Sequence, residues 1–313
     1  MSARILFSAP RSDWDDYREV LSKAVAEAGV VADFEHALMP EHPNAIDYIV
    51  YAPSSRLRDF TPFTNAKAVL NLWAGVEEVV SNETLTQPLA RMVDPGLTAG
   101  MVEYCVGHVM RHHLGIDLDL TRQDGAWQPR VPPLARERRV TILGLGELGA
   151  AVGTALTALG FPVTGWSRSP KALAEITCLS GDEGLRDALG AADILILLLP
   201  LTAETDGLLN ATRMAQLPEG AVLLNPGRGP IVSDPALLVS LEKGRIAHAT
   251  LDVFREEPLP KDHPFWHHPQ ITVTPHIASA TRPSTASCVI AENIRRGEAG
   301  EPFLHLVDRT RGY

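Results

Sequence analysis

The run Val140-Thr141-Ile142-Leu143-Gly144-Leu145-Gly146-Glu147-Leu148-Gly149 reads as a strand, a tight turn and the opening of a helix. Val140 to Leu143 are apolar or β-branched, as a buried strand requires, and the glycines follow in the spacing G-x-G-x-x-G. Glycine-rich turns are common, so the spacing alone says little. Between a strand and a helix, however, each glycine has a task. Gly144 permits the turn, Gly146 lets backbone approach a pyrophosphate, and Gly149 lets helix and strand pack closely. The anion is then held at the helix N-terminus near Glu147 and Leu148, where unpaired N–H groups and the helix dipole favour negative charge. This predicts an α/β fold with a doubly wound, dinucleotide-binding domain.

The pattern on both sides of this run agrees. From Arg139 onward strands are expected at Val140–Leu143, Val163–Trp166, Ile194–Leu198, Ala221–Leu224, Ile246–Leu251 and Ile271–Val273, with helices such as Leu148–Leu159 and Pro235–Glu242 between them. Ile194 to Leu198 is apolar throughout, as suits a parallel strand covered on both faces. The first hundred residues look like a second, smaller α/β unit. It has strands near Arg4–Ser8, Ile46–Val50 and Ala68–Asn71. A helix capped by Asp13 should bury Trp14, Tyr17, Val20, Leu21, Ala24, Val25 and Ala28, and stop at Gly29. One long helix is expected from Ala99 to Arg122, then an extended arm from Gly125 to Pro133 carrying Trp127, Pro129, Pro132 and Pro133. A last helix from about Ser279 to Arg296 should return to the N-terminal unit.

Composition narrows the function classes. The 313 residues carry a formal net charge of -10, with 45% hydrophobic and 21% charged residues. That balance fits a globular protein and argues against nucleic acid as a partner, since phosphate backbones need a basic face. A small anionic substrate needs only one or two local cations. The N-terminus lacks the long apolar stretch of a signal peptide, and the run Ile194 to Leu199 is too short to span a membrane. Cys105, Cys178 and Cys288 are odd in number and have no metal-type spacing, so they read as small hydrophobes in a reducing, cytoplasmic compartment. His112, His113, His263, His267 and His268 read as solvated or turn histidines, and no metal is expected.

Past the second strand of the nucleotide domain, an NAD site usually places an acid that holds the ribose 2′-hydroxyl. Here the place reads Trp166-Ser167-Arg168-Ser169-Pro170-Lys171, with no carboxylate. Arg168 can grip a 2′-phosphate bidentately and stack on adenine, and Ser167, Ser169 and Lys171 can add donors. NADP is the expected cofactor, with NAD possible.

Further along stand a cation, a carboxylate and a histidine, Arg228, Glu257 and His276, each in a loop after an expected strand. Beside a dinucleotide site, such a set suits hydride transfer to a carbonyl. With these residues the chain resembles the D-isomer-specific 2-hydroxyacid dehydrogenases over essentially its whole length, and most of all their glyoxylate/hydroxypyruvate reductase A branch. The matching stretches are Leu72-Trp73-Ala74-Gly75-Val76, the glycine loop, Trp166-Ser167-Arg168-Ser169 and Leu224-Asn225-Pro226-Gly227-Arg228-Gly229. To these are added Leu251-Asp252-Val253-Phe254-Arg255-Glu256-Glu257-Pro258-Leu259-Pro260, Thr274-Pro275-His276-Ile277-Ala278 and the C-terminal Asp308-Arg309-Thr310-Arg311-Gly312-Tyr313. Pro226 departs from the pattern by stiffening the approach to Arg228.

The resemblance implies two Rossmann-like domains: a flavodoxin-like substrate domain from residues 1–98 and 278–313, and an NAD(P)-binding domain from 99–277. It implies NADPH-dependent reduction of a small 2-oxoacid, glyoxylate or hydroxypyruvate, to glycolate or D-glycerate. A planar guanidinium can hold a carboxylate beside a carbonyl, so Arg228 would orient the substrate and polarise it. His276 would be the acid in reduction and the base in reverse, with Glu257 hydrogen-bonded to it and favouring the imidazolium. Asp252 matches a residue near the nicotinamide carboxamide, and Leu199, Pro200, Thr205 and Pro226 join it on the cofactor side. Backbone N–H groups of Ala74 and Gly75 would take the substrate carboxylate, with Trp73 either in the pocket or plain core. A homodimer is implied, the long helix and arm exchanging between subunits. Trp127 either packs within the arm or reaches the partner's active site. The same fold and triad also occur in dinucleotide-sensing transcriptional corepressors. That reading is set back by the NADP-type 2′-site and by the expected lack of the extra terminal regions such a scaffold would use. Reduction of another 2-oxoacid to a D-2-hydroxyacid stays open.

Overall fold

Short apolar strands order both halves of the chain in the computed structural model, which describes residues 2–312. Tyr313, the last residue of the C-terminal motif, lies outside the described residues. Two units separate, Met1–Leu97 with Ala280–Tyr313, and Thr98–Ser279, beside the expected divisions at 98/99 and 277/278.

The first unit holds β1 (Ala3–Ser8), α1 (Arg11–Glu27), β2 (Ala32–Glu35), β3 (Tyr48–Tyr51), β4 (Ala68–Asn71) and β5 (Leu89–Ala90). Its sheet runs β2-β1-β3-β4-β5 with every neighbouring pair parallel, the flavodoxin-like order. α1 buries Tyr17, Leu21, Ala24 and Val25 and gives way to Gly29 in the left-handed region. Asp13 is not its cap: Pro10 holds that position with no side-chain hydrogen bond, and Asp13 lies inside the first turn, where its charge still complements the helix dipole. The C-terminal helix (Pro283–Ala299) packs Ile290, Ala291 and Ile294 into the same core as Leu21 and Val25, so it does return to this unit. It starts at Pro283 rather than Ser279 because proline fits the first helical position, where no N–H is needed. A loop layer with Phe60, Phe63, Val76, Val79 and Leu85 covers the other face of the sheet.

The expected single helix at 99–122 is two, α2 (Pro95–Leu114) and α3 (Ile116–Thr121). They are parted by Gly115, whose φ of 68° leaves the helical region. α2 begins early because Asp94 Oδ1 accepts the N–H groups of Gly96 and Leu97 at 2.7 and 3.1 Å. The second unit continues with β6 (Val140–Leu143), α4 (Glu147–Ala158), β7 (Val163–Ser167), β8 (Ile176–Ser180), α5 (Gly181–Gly190) and β9 (Ile194–Leu197). It closes with α6 (Ala211–Met214), β10 (Ala221–Asn225), α7 (Asp234–Glu242), β11 (Ile246–Leu251) and β12 (Ile271–Val273). The sheet order is β12-β11-β10-β9-β6-β7-β8, again all parallel. Counted from β6, this is the doubly wound order 3-2-1-4-5-6 with one further strand, and its direction reverses between β6 and β9.

Two sequence expectations fail here for packing reasons. Cys105 is buried, but Cys178 is only partly covered and Cys288 is exposed on the C-terminal helix, so the small-hydrophobe role holds at Cys105 alone. His112 and His113 are not solvated. His113 is 5% exposed and meets Phe161 edge-on, while the His112 ring bonds the Thr250 hydroxyl at 3.0 Å beneath α2. Burial pushes His112 down to about 3, which keeps it neutral. Among the described residues, no helix is long and apolar enough to cross a membrane.

Candidate active site

Because every strand pair of the larger sheet is parallel, the strand C-termini share one edge and the loops leaving them form a row. The loop after β6 is the glycine run. Gly144 takes a φ of 107°, and a side chain there would run into the Leu198 carbonyl group. A Cβ at Gly149 would fall onto the carbonyl oxygen of Gly144. Only hydrogen fits at either position. Gly146 differs, since a Cβ there meets nothing within 4 Å. It caps α4 as a residue with no side chain of its own to bond the first N–H groups, at Glu147 and Leu148.

On the far side of the reversal point, β9 leads into Leu199, Pro200 and Thr205. Leu199 is 8% exposed and belongs to the core. Thr205 Oγ1 donates to the Pro200 carbonyl at 2.7 Å and accepts the Thr202 N–H at 2.8 Å, which folds this loop on itself. At the end of β7, Ser167 is buried and donates its hydroxyl to the Ser169 carbonyl at 2.8 Å. Its proton therefore shapes the turn, and Arg168, Ser169 and Lys171 are the exposed members. Arg168 helps hold the Glu204 carboxyl below its ordinary range, after the larger effect of the hydrogen bond from Thr202.

The next three loops leave adjacent strands. β10 ends in Asn225, whose amide Nδ2 donates to Arg228 O at 3.0 Å while its Oδ1 accepts the Gly227 N–H at 3.2 Å. The turn through Pro226 is thus clasped by a side chain that is 1% exposed. Arg228 is partly buried, with Nη1 donating to Gly227 O at 2.7 Å. The loop after β11 carries Asp252 and Glu257, and the loop after β12 carries His276. His276 Nδ1 lies 2.7 Å from Glu257 Oε2, and Glu257 Oε1 accepts the Phe254 N–H at 2.8 Å. The carboxylate is thereby fixed at one oxygen and presents the other to the ring. The His276 side chain is 53% exposed.

His276 has a φ of 55°, the left-handed region that a non-glycine residue occupies only when its surroundings hold it there. Its N–H reaches Asp252 O at 2.9 Å and Thr274 O at 3.0 Å. Asp252, wholly buried, accepts Thr274 Oγ1 and the Ile277 N–H on Oδ1 and the Ala278 N–H on Oδ2, at 2.6, 2.9 and 2.8 Å. Its carboxylate is engaged in wrapping the histidine loop.

Trp73, Ala74 and Gly75 belong to the first unit, in the loop after β4. Asn71, the last residue of that strand, donates through Nδ2 to Trp73 O and Gly75 O at 2.7 and 2.8 Å. Trp73 is 42% exposed, so it is not plain core. Trp127 is 94% exposed in an arm without regular structure, which Arg130 ties to Asp119 and to the carbonyls of Leu114 and Gly115.

Sequence reasoning missed Asn71, Asn225, Thr274 and Tyr104, whose hydroxyl lies 2.8 Å from that of Thr274. The two asparagines did leave a signal: each is the single polar residue closing a strand of otherwise apolar residues, Ala68-Val69-Leu70-Asn71 and Ala221-Val222-Leu223-Leu224-Asn225. A buried amide there must find partners, and the nearest are the carbonyls of the following turn.

Comparison with known proteins bears on this site. Residues 106–278 match the model of the D-isomer specific 2-hydroxyacid dehydrogenase NAD binding domain. A glyoxylate/hydroxypyruvate reductase A of Serratia proteamaculans is 38% identical across 99% of this chain and 99% of its own. Among solved structures, a D-isomer specific 2-hydroxyacid dehydrogenase from Xanthobacter autotrophicus Py2, in complex with NADPH and MES, is 40% identical with a TM-score of 0.92, each chain covered in full. An NADPH-dependent glyoxylate/hydroxypyruvate reductase from Sinorhizobium meliloti, in complex with NADP and sulfate, is 31% identical with a TM-score of 0.86, again over the whole of both chains.

Proposed function

The chain belongs to the D-isomer specific 2-hydroxyacid dehydrogenase family, and from that premise we propose that it reduces a small 2-oxoacid, glyoxylate or hydroxypyruvate, with NADPH. The observation that carries this reading is the Glu257–His276 pair. Nδ1 is taken by the carboxylate, so Nε2 is the nitrogen left to meet a substrate oxygen. The glycine loop fits the cofactor, because Gly146 has open space above it and the first N–H groups of α4 have no side-chain cap. Gly144, Gly146, Gly149 and the N–H groups of Glu147 and Leu148 would hold the pyrophosphate. Arg168, with Ser169 and Lys171, would hold the 2′-phosphate.

When bound, the dihydronicotinamide supplies the hydride that the carbonyl carbon accepts. Arg228 pairs with the substrate carboxylate and polarises the adjacent carbonyl. His276 gives its Nε2 proton to the carbonyl oxygen, which completes the alcohol, and Glu257 steadies the cation before that transfer and the ring orientation after it. The testing experiment is a panel of 2-oxoacids assayed with NADPH and with NADH. Glyoxylate and hydroxypyruvate should oxidise NADPH fastest, and a protein that turns over none of the panel would overturn the reading.

A homodimer belongs to the same proposal. Leu118, Leu120, Trp127 and Val131 are exposed apolar residues gathered on α3 and the arm, the kind of surface a second copy would cover. Light scattering at micromolar protein should give a dimer mass, and a monomer mass removes the proposal. Activity lost in Trp127→Ala with the dimer retained would make the arm part of the partner's site. The three free thiols accord with a reducing, cytoplasmic setting.

A further inference from the structure

We infer that Tyr104 and Thr274 are positioning residues for His276, acting through the buried carboxylate of Asp252; this rests on the reading of His276 as the acid. Thr274 has one hydroxyl proton and lies 2.6 Å from Asp252 Oδ1, an atom that can only accept. Its proton therefore goes to Asp252. Tyr104, on α2, lies 2.8 Å from Thr274 Oγ1 and must then be the donor in that bond. Burial raises the Tyr104 hydroxyl well above its usual range, so it stays protonated. A directed chain results, Tyr104 to Thr274 to Asp252, and it continues into the backbone around the histidine. Asp252 accepts the N–H groups of Ile277 and Ala278, and its own carbonyl accepts that of His276.

This chain has something to hold. His276 sits at a φ of 55°, a conformation that relaxes once its restraints weaken. With the Thr274 hydroxyl removed, the wholly buried Asp252 loses one of its three donors and the loop from 274 to 278 loses the bond that ties its start to the carboxylate. The imidazole then departs from the line it holds with Glu257. Tyr104 touches none of the reacting atoms; it fixes the rotamer of Thr274 and so works at one remove.

The test compares Tyr104→Phe, Thr274→Val, Thr274→Ser and the double variant Tyr104→Phe/Thr274→Val. Misplacement by about 1 Å can cost on the order of 10²-fold in rate, so Thr274→Val should lower kcat roughly 10- to 100-fold and Tyr104→Phe by a smaller factor. Thr274→Ser, which keeps the hydroxyl, should recover most of the rate. NADPH affinity by fluorescence titration should stay at the parent value in all of them. The double variant should lose no more than Thr274→Val, because tyrosine acts only through threonine. Parental kcat in Tyr104→Phe, or losses that multiply in the double variant, would overturn the inference. So would a fall in NADPH affinity as large as the fall in kcat. Hydrogen exchange over residues 274–278 provides a readout independent of activity. Faster exchange in Tyr104→Phe and Thr274→Val supports the inference, and exchange identical to the parent refutes it. If the parent reduces no 2-oxoacid, the proposed activity fails while the exchange experiment still decides this inference.

Discussion

Replacing His276 by alanine lowers kcat for glyoxylate reduction by a factor on the order of 10² to 10⁴ and leaves NADPH binding near its parental value. The expectation follows from what the ring alone supplies. Reduction leaves negative charge on the carbonyl oxygen unless a proton arrives, and of the residues proposed around the carbonyl only His276 can give one up readily, since arginine does not deprotonate in proteins. NADPH binding is spared because the glycine loop and Arg168 leave other strands of the sheet. The same ring serves both directions: it gives the proton in reduction and takes it back in oxidation, so His276→Ala should slow both. Glu257→Gln keeps an oxygen within reach of Nδ1, 2.7 Å away in the parent, but removes the charge that balances the imidazolium, so it should lower kcat by less than His276→Ala does. Steady-state rates in both directions, with a fluorescence titration of NADPH, measure all of this. Near-parental turnover in His276→Ala assigns the acid to another residue.

What could be read in advance was whatever depends on few neighbouring residues. Gly144 and Gly149 announce themselves because the lack of a side chain is a property of one position, and their spacing carries the turn. β9, apolar at every residue, was legible for the same local reason. β8 and α5 were not anticipated: Ile176–Ser180 is an edge strand with partly exposed residues, so it lacks the apolar run of its neighbours. Gly115 gives no sign in the sequence that it parts two helices, because a single glycine inside a helical pattern is usually tolerated at a small cost. The burial of His112 and His113 is not legible either, because the sequence does not say which sides of α2 meet the sheet and Phe161. The support of His276 was beyond reach for a different reason. Tyr104 and Thr274 are 170 residues apart, and their hydroxyls meet only because α2 crosses the end of β12. Roles fixed by one residue's chemistry are visible in the chain, and roles fixed by long-range contact are not.

Arg168→Asp should shift the ratio of kcat/KM for NADPH over NADH by roughly 10²-fold toward NADH, the equivalent of about 3 kcal/mol. β7 ends at Ser167, and the hydroxyl of that residue turns back to Ser169 O, which leaves Arg168 exposed at the strand end where a 2′-substituent of the adenosine ribose arrives in this sheet order. A guanidinium there gives charge-assisted, paired hydrogen bonds to a phosphate and gains little from a hydroxyl. Aspartate reverses both terms, since it repels the phosphate and accepts from the ribose hydroxyls. Two contributions of opposite effect on the two cofactors therefore add in the ratio, which makes selectivity respond more than either activity alone. Most of the change should lie in KM, because the 2′-group is remote from the reacting carbon and binds equally in ground and transition states. Lys171→Ala removes a second exposed cation without adding a negative charge and should shift the ratio by a smaller factor. Initial rates over a range of both cofactors at fixed glyoxylate measure the ratio. A parent that uses NADPH and NADH equally well, or an Arg168→Asp variant whose preference is unmoved, would place the 2′-phosphate contact on residues other than Arg168.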